Sequence, residues 1–209
     1  MQNERKGGWI ETWSGKRFWP IDPRSEDVDI NDIAHALSMQ CRFLGHIPFM
    51  YTVAQHSVYV LQTFRSISEK IWCKEACLAV LMHDGAEAYV CDCSSPIKPY
   101  LTNYQEIEDR ILESIYEKFD ITEYLMPQCT NDTLYRGEKL QKLLHKADMM
   151  MLAAEALYFG MNKKNDWTLP EPPANININP WTPHEAKVNF LKAFEELTKD
   201  EEKVPISKV

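Results

Sequence analysis

An all-α fold is what the sequence predicts: one domain over residues 1–209, a bundle of about six or seven helices behind a short N-terminal β-hairpin. Three observations carry this. Apolar residues recur at helical spacing through a core of about 28–160 and again near the C-terminal end. Strand-like patterning is confined to 9–19. Finally, 209 residues, 44% hydrophobic and without repeat or linker, suffice for one sizeable core and are few for two.

The hairpin is read from Trp9 to Trp19, where large apolar side chains flank Ser14-Gly15, and Pro20–Pro23 turns the chain away. A first helix begins beyond Asp29 or Asn31 as cap, carries Ile30, Ile33, Ala34 and Leu37 on one stripe, and ends near Cys41. After a loop through Arg42–Pro48, a second helix from about Thr52 to Phe64 sets Val53, Val58, Val60 and Leu61 around His56. A third is expected from about Glu69 to Val90, because Ala76–Met82 holds no charged side chain and so reads as buried helix. Two prolines in Cys91–Pro99 end it. Helices follow over 103–119, with Ile107, Ile111, Leu112 and Ile115, and from about Asp132 to Phe159, with a loop containing Pro127 and Asn131 between them. The Pro- and Asn-rich stretch Asn165–Pro183 reads as an extended surface loop, within a C-terminal loop and helix spanning 165–198. Thr182 with Glu185 predicts a capping box for a last helix, Pro183–Thr198, and the charged tail from Lys199 is expected to fray.

Composition excludes several function classes. A net charge of −8 without a basic block argues against polymeric nucleic acid as partner. No apolar run approaches the ~20 residues of a membrane span, and the N-terminus lacks a signal-peptide core, so no membrane association and a cytoplasmic location are expected. Six cysteines without a C-x-x-C pair read as reduced thiols, most of them small core hydrophobes, rather than as a disulfide framework or structural zinc site.

Chemistry concentrates in Leu81–Asp92. His83 and Asp84 follow an apolar run, and a buried carboxylate costs several kcal/mol unless it is paired or bound to metal. Adjacent side chains about 100° apart on a helix can still converge on one ion. On that helix Glu87, four residues after His83, would share its face. His56 on the second helix and Asp148 on the long one are further metal-capable residues in apolar surroundings. His145, three residues before Asp148, His35 and the loop residue His46 are weaker candidates for contacts to the site.

The order His56, His83-Asp84, Asp148 resembles that of HD-domain metal-dependent phosphohydrolases. The likeness extends to Arg42, 14 residues before His56, to Tyr51–Val58, and to the run from His83 to Lys98, which is similar to the family's H-D-x-x-E…D…P-x-K signature. Within the superfamily the chain resembles bacterial 5′-deoxynucleotidases and phage dATP triphosphohydrolases, whose glutamate and aspartate stand where Glu87 and Asp92 do. The resemblance implies a small-molecule deoxynucleotide substrate, mono- or triphosphate. It also implies one divalent ion (Mn, Co, Zn, Fe or Mg) on His56, His83, Asp84 and Asp148, with Glu87 and Asp92 catalytic. Arg42 would hold phosphate, Phe43 would stand where relatives carry a tryptophan, and Lys98 and His46 would face substrate. A triphosphate needs more cations, for which Lys139, Lys142, Lys146, Lys16 and Arg17 are available. Homo-oligomerisation is compatible with the resemblance and with the hairpin aromatics. Cyclic-nucleotide or (p)ppGpp hydrolysis, and a non-catalytic nucleotide-sensing module, remain the rival readings.

Overall fold

The computed structural model describes residues 4–68, 72–124, 131–161, 167–169 and 171–199, with the backbone alone over 131–136. The described residues form seven α-helices and one two-stranded hairpin, so the mostly helical fold read from the sequence is the one observed. At its centre runs α2 (Val53–Ile67), which the sequence placed about three residues short. Thr52 caps it, its hydroxyl accepting from Gln55 N at 3.1 Å. From Val53 to Leu61 every residue of α2 is buried, because α1 (Ile30–Met39), α3 (Lys74–Leu81), α6 (Asn131–Phe159) and α7 (Pro183–Thr198) all pack against it. A polar side chain on such a helix has no route to solvent and must find a partner inside.

The expected helix Glu69–Val90 is not continuous. Residues 69–71 lie outside the described part, α3 stops at Leu81, and a separate turn of helix, α4 (Glu87–Val90), follows. Between them the chain tightens into three-residue turns, with Gly85 N donating to Met82 O at 2.8 Å and Glu87 N to Asp84 O at 3.1 Å. The close approach favours a glycine, since a Cβ at position 85 would sit 3.0 Å from the Met82 carbonyl and press on the Ile115 side chain at 3.3 Å. His83 and Asp84 therefore project from a tight turn, and Glu87 does not follow His83 one turn along a helix face.

The hairpin pairs β1 (Ile10–Glu11) with β2 (Arg17–Phe18), and Gly15 supplies the positive φ of its turn. Phe18 is buried and stacks on Tyr89 of α4 at 3.7 Å, while Trp13 at the tip stacks on His35 of α1 at 3.9 Å. His35 thus serves hairpin docking, away from the candidate site. Helix α5 (Tyr104–Lys118) closes over α4, and Tyr116 donates to Ala79 O at 2.8 Å. The loop centred on Pro127 lies outside the described residues.

The segment leading into α7 is more than a surface loop. Ala174 and Ile178 are buried, Ala174 N donates to Met150 O, and the buried Gln55 amide donates to Asn179 O at 2.7 Å while accepting from Trp181 N at 3.0 Å. The segment is a strap fixed across α2 and α6. Its Pro and Asn content gives turn chemistry without saying that these turns are held from below by one α2 amide. Residues 162–166 and 170 lie outside the described part, as does the tail beyond Lys199. Of the described cysteines only Cys77 is buried, while Cys73 and Cys91 are exposed. The expectation of core thiols fails because Cys41, Cys73, Cys91 and Cys93 stand at element ends and loops.

Candidate functional site

His56 and His83 approach each other where α2 passes the turn after α3, with ring centroids 5.6 Å apart. Each imidazole is fixed through Nδ1. His56 Nδ1 lies 2.7 Å from Glu155 Oε1, and His83 Nδ1 lies 2.9 Å from the carbonyl of Val80, in the last turn of α3. A carboxylate or carbonyl oxygen can only accept, so both Nδ1 atoms donate, and in the neutral rings it is the Nε2 atoms that carry the lone pairs. These two Nε2 atoms are buried and make no hydrogen bond. Each instead faces a carboxylate oxygen, His56 at 3.1 Å from Asp148 Oδ1 and His83 at 3.2 Å from Asp84 Oδ2. Two lone pairs aimed at two carboxylates repel unless a proton or a metal cation stands among them, and it is in the absence of a metal that the carboxylates hold a proton on His56. His56, His83 and Asp84 bring their ligand atoms within 4.8 Å of one another and could hold a metal ion, with Asp148 beside them.

Burial and the Arg42 guanidinium lower the His56 pKa, but Glu155 and Asp148 outweigh them and raise it to about 9. Desolvation pushes the Asp84 carboxyl up, yet His83, His56 and Arg42 together bring it below the usual carboxylate range. Asp148 is likewise lowered against its burial, by His56 and His83.

A cavity of about 570 Å³ opens onto these carboxylates, a volume typical of small-molecule sites, about 300–1,000 Å³. Arg42, Phe43, His46, Asp84, Glu87, Asp92, Lys98 and Asp148 all line it. These sequence-predicted residues are thus gathered from α6, the turn after α3, α4, the segment after α4 and the loop after α1. His145 is exposed, and it is not among the lining residues. Nor are Lys16, Arg17, Lys139, Lys142 and Lys146. Lys16 pairs with Asp29 at 2.8 Å and Arg17 covers the Trp9 ring.

Glu87 is 5% exposed and its Oε2 has no hydrogen-bond partner. Burial first, then Asp84 and Asp92, raise its carboxyl to about 9. Lys98 Nζ stands 4.0 Å from Glu87 Oε1 and donates to Glu108 at 3.0 Å, which raises the ammonium against its desolvation. The loop presenting Arg42 is strained: Phe43 and Leu44 take left-handed φ values of 57° and 53° ahead of Gly45. A left-handed non-glycine residue costs about 1–2 kcal/mol, and such strain persists where the surroundings hold it. Here Arg42 N donates to Tyr51 O at 2.9 Å, and a bridge pairs Cys41 with Thr52, closing the loop at its base.

Six residues were not named from the sequence. Glu155, fully buried on α6, accepts from Tyr51 Oη at 2.9 Å and Arg42 Nε at 3.3 Å besides His56. It stands alone as a charge in Ala153-Ala-Glu-Ala156, two turns after Asp148, and that pattern is a readable signal. Gln40 donates to Glu87 O at 2.9 Å and accepts from Asp92 N at 2.8 Å, so one amide sets both ends of α4. Met149, Leu152, Met161 and Trp167 form the apolar part of the cavity wall.

No protein-family model matches the chain. It is 34% identical over 193 residues to the "Uncharacterized protein YfdR" of Escherichia coli K12, covering 91% of this chain and 96% of that one. It is also 32% identical over 119 residues to the "Uncharacterized protein RCAP_rcc00048" of Rhodobacter capsulatus, covering 56% and 60% of the two chains.

Proposed function

The chain belongs to the same family as YfdR of Escherichia coli, and from the site it carries we propose a metal-dependent phosphohydrolase of the HD type, acting on the 5′-phosphate of a deoxynucleoside. One observation carries the reading: two buried imidazole Nε2 atoms without hydrogen bonds face the carboxylates of Asp84 and Asp148, which line a cavity shared with Glu87, Asp92, Arg42 and Lys98. Two neutral imidazoles and two carboxylates balance a divalent charge, and a mixed nitrogen and oxygen set suits Mn, Fe, Co or Zn. Bound there, the ion would supply Lewis acidity and offset phosphate charge.

The protein's own groups do the rest. Arg42, held from behind by Glu155, turns its guanidinium toward the cavity to take phosphate oxygens. Attack by water forms a new P–O bond as the P–O5′ bond breaks. Glu87, protonated and facing the cavity, gives its proton to the leaving 5′-oxygen, and the carboxylate so formed takes the proton released by the attacking water. Asp92, whose backbone Gln40 fixes, orients the water or the sugar hydroxyl. Phe43, Met149, Leu152 and Trp167 offer the nucleoside an apolar wall.

Charge favours a monophosphate. Among the described residues lining the cavity, Arg42 and Lys98 are the lysines and arginines against Asp84, Asp92 and Asp148, with Glu87 protonated. A divalent ion brings that balance to a single positive charge, which suits a phosphate dianion better than a triphosphate tail. The test is chromatography of products after incubating metal-loaded protein with each deoxy- and ribonucleoside mono- and triphosphate, with His83→Ala as control. Phosphate released from deoxynucleoside monophosphates, and absent with His83→Ala, is the expected result. Triphosphate released from dNTPs would refute the monophosphate preference, and no turnover of any substrate would overturn the phosphohydrolase reading.

A further inference from the structure

We infer that Glu155 is a positioning residue with two clients, one carboxylate fixing the tautomer of the metal-facing His56 and the set of the phosphate-facing Arg42. The inference rests on the metal site proposed above. A fully buried carboxylate on a helix is expensive unless every lone pair is used, and Glu155 uses both oxygens. Oε1 accepts from Tyr51 Oη at 2.9 Å and from His56 Nδ1 at 2.7 Å, and Oε2 accepts from Arg42 Nε at 3.3 Å. Because Nδ1 must donate to Oε1, the His56 lone pair is confined to Nε2, on the Asp148 and Asp84 side. Because Nε is engaged, the Arg42 guanidinium cannot swing freely, and its Nη1 stands 3.9 Å from Asp84 Oδ2. One side chain on α6 therefore ties the ion's nitrogen ligand on α2 to the substrate's cation on the strained loop.

An amide at 155 would separate the two roles. Its oxygen can still accept from His56 Nδ1–H, but its NH₂ would meet the Nε–H of Arg42, donor against donor. Metal-stripped wild type, Glu155→Gln and Glu155→Ala are titrated with Co²⁺ by calorimetry, and KM and kcat are then measured at saturating Co²⁺ with the deoxynucleoside monophosphate that wild type turns over. Circular dichroism checks that each variant is folded. Glu155→Ala is expected to weaken Co²⁺ binding about 10- to 100-fold and to raise KM even when metal is saturating. Glu155→Gln should recover most of the Co²⁺ affinity while KM stays raised. If Glu155→Ala does not fold, the isosteric amide still reads out the split between metal affinity and KM. Co²⁺ affinity and KM within twofold of wild type in the folded variants would overturn the inference while leaving the metal site standing. Wild type that takes up no Co²⁺ would instead remove the metal site and the inference with it.

Discussion

Two buried carboxyl groups, Asp32 under the hairpin and Glu87 at the cavity, are almost equally shielded, at 3% and 5% exposure, and differently treated. Asp32 is surrounded by donors: Thr12 Oγ1 at 2.8 Å, Ser14 N at 2.7 Å and Ser14 Oγ at 2.8 Å all reach it from the hairpin tip. Glu87 has an oxygen with no hydrogen bond and two carboxylates for neighbours. Folding alone explains the first, since each lost solvent contact is replaced. It does not explain the second, whose acid is held in a state that an isolated domain would relax by substitution. Saturation of hydrogen bonds, more than burial or charge, separates the structural acid from the one proposed to act in catalysis.

The sharpest way to break this comparison is Glu87→Gln. Turnover should fall about 10²–10⁴-fold, the usual contribution of a positioned acid or base. Stability should move the other way in metal-stripped protein. The folded Glu87 pKa, about 9, lies above the ordinary carboxylate value, so the native state holds a proton the unfolded chain gives up. That stabilisation is complete below the unfolded pKa of about 4.5 and is lost as pH rises toward 9. Glu87→Gln cannot ionise, so its melting temperature should match wild type near pH 4.5 and exceed it increasingly toward pH 9. Thermal melts across this range in chelator check it. A constant difference, or normal turnover, would mean that Glu87 is another Asp32.

How much of this was readable beforehand depends on the range of the interaction. The caps at Asp29 and Thr182 are local, and the structure has both, with Asn31 N on Asp29 and a full capping box at Thr182. His56, His83, Asp84 and Asp148 stood out because polar groups interrupted apolar runs, while Arg42, Phe43, Asp92 and Lys98 were named through the resemblance to HD-domain proteins; the cavity gathers eight of the residues named. The break after Leu81 was hidden because an apolar run looks alike in a helix and in tight turns, and Gly85 was the only local sign. Gln40 and Gln55 were invisible for another reason. Glutamine is ordinary in a helix, and only the fold shows that one amide holds α4 and the other the C-terminal strap.

Asp32→Ala examines the structural half of the comparison. It strips three hydrogen bonds from the hairpin tip, and the Trp13–His35 stack loses its anchor. Hydrogen bonds to an acid of this kind are worth about 1.5–3 kcal/mol, less what water regains at the exposed Ser14. The expected loss is about 2 kcal/mol in a urea melt, with kcat within twofold of wild type because Asp32 does not line the cavity. A drop in kcat comparable to that of Glu87→Gln would tie the hairpin to the chemistry.

The smallest effect belongs to a saturated acid that is not deeply buried. Asp29 accepts from Lys16 Nζ at 2.8 Å and from Asn31 N at 2.9 Å, and these bonds hold its pKa below the usual value despite some desolvation. A lowered carboxyl stabilises the fold above its unfolded pKa and stops doing so as pH falls through the folded one. Lys16 is nearly half exposed, so its share is that of a surface pair, about 0.2–1 kcal/mol and screened by salt. Lys16→Ala should therefore lower the melting temperature by no more than about 4 °C at pH 7 and low salt. The difference should shrink in 1 M NaCl and fade as pH falls through the folded pKa of Asp29, which lies below its unfolded one. A deficit that survives both salt and acid would have to come from the lysine stem packing on the hairpin, because the charge pair is gone under either condition.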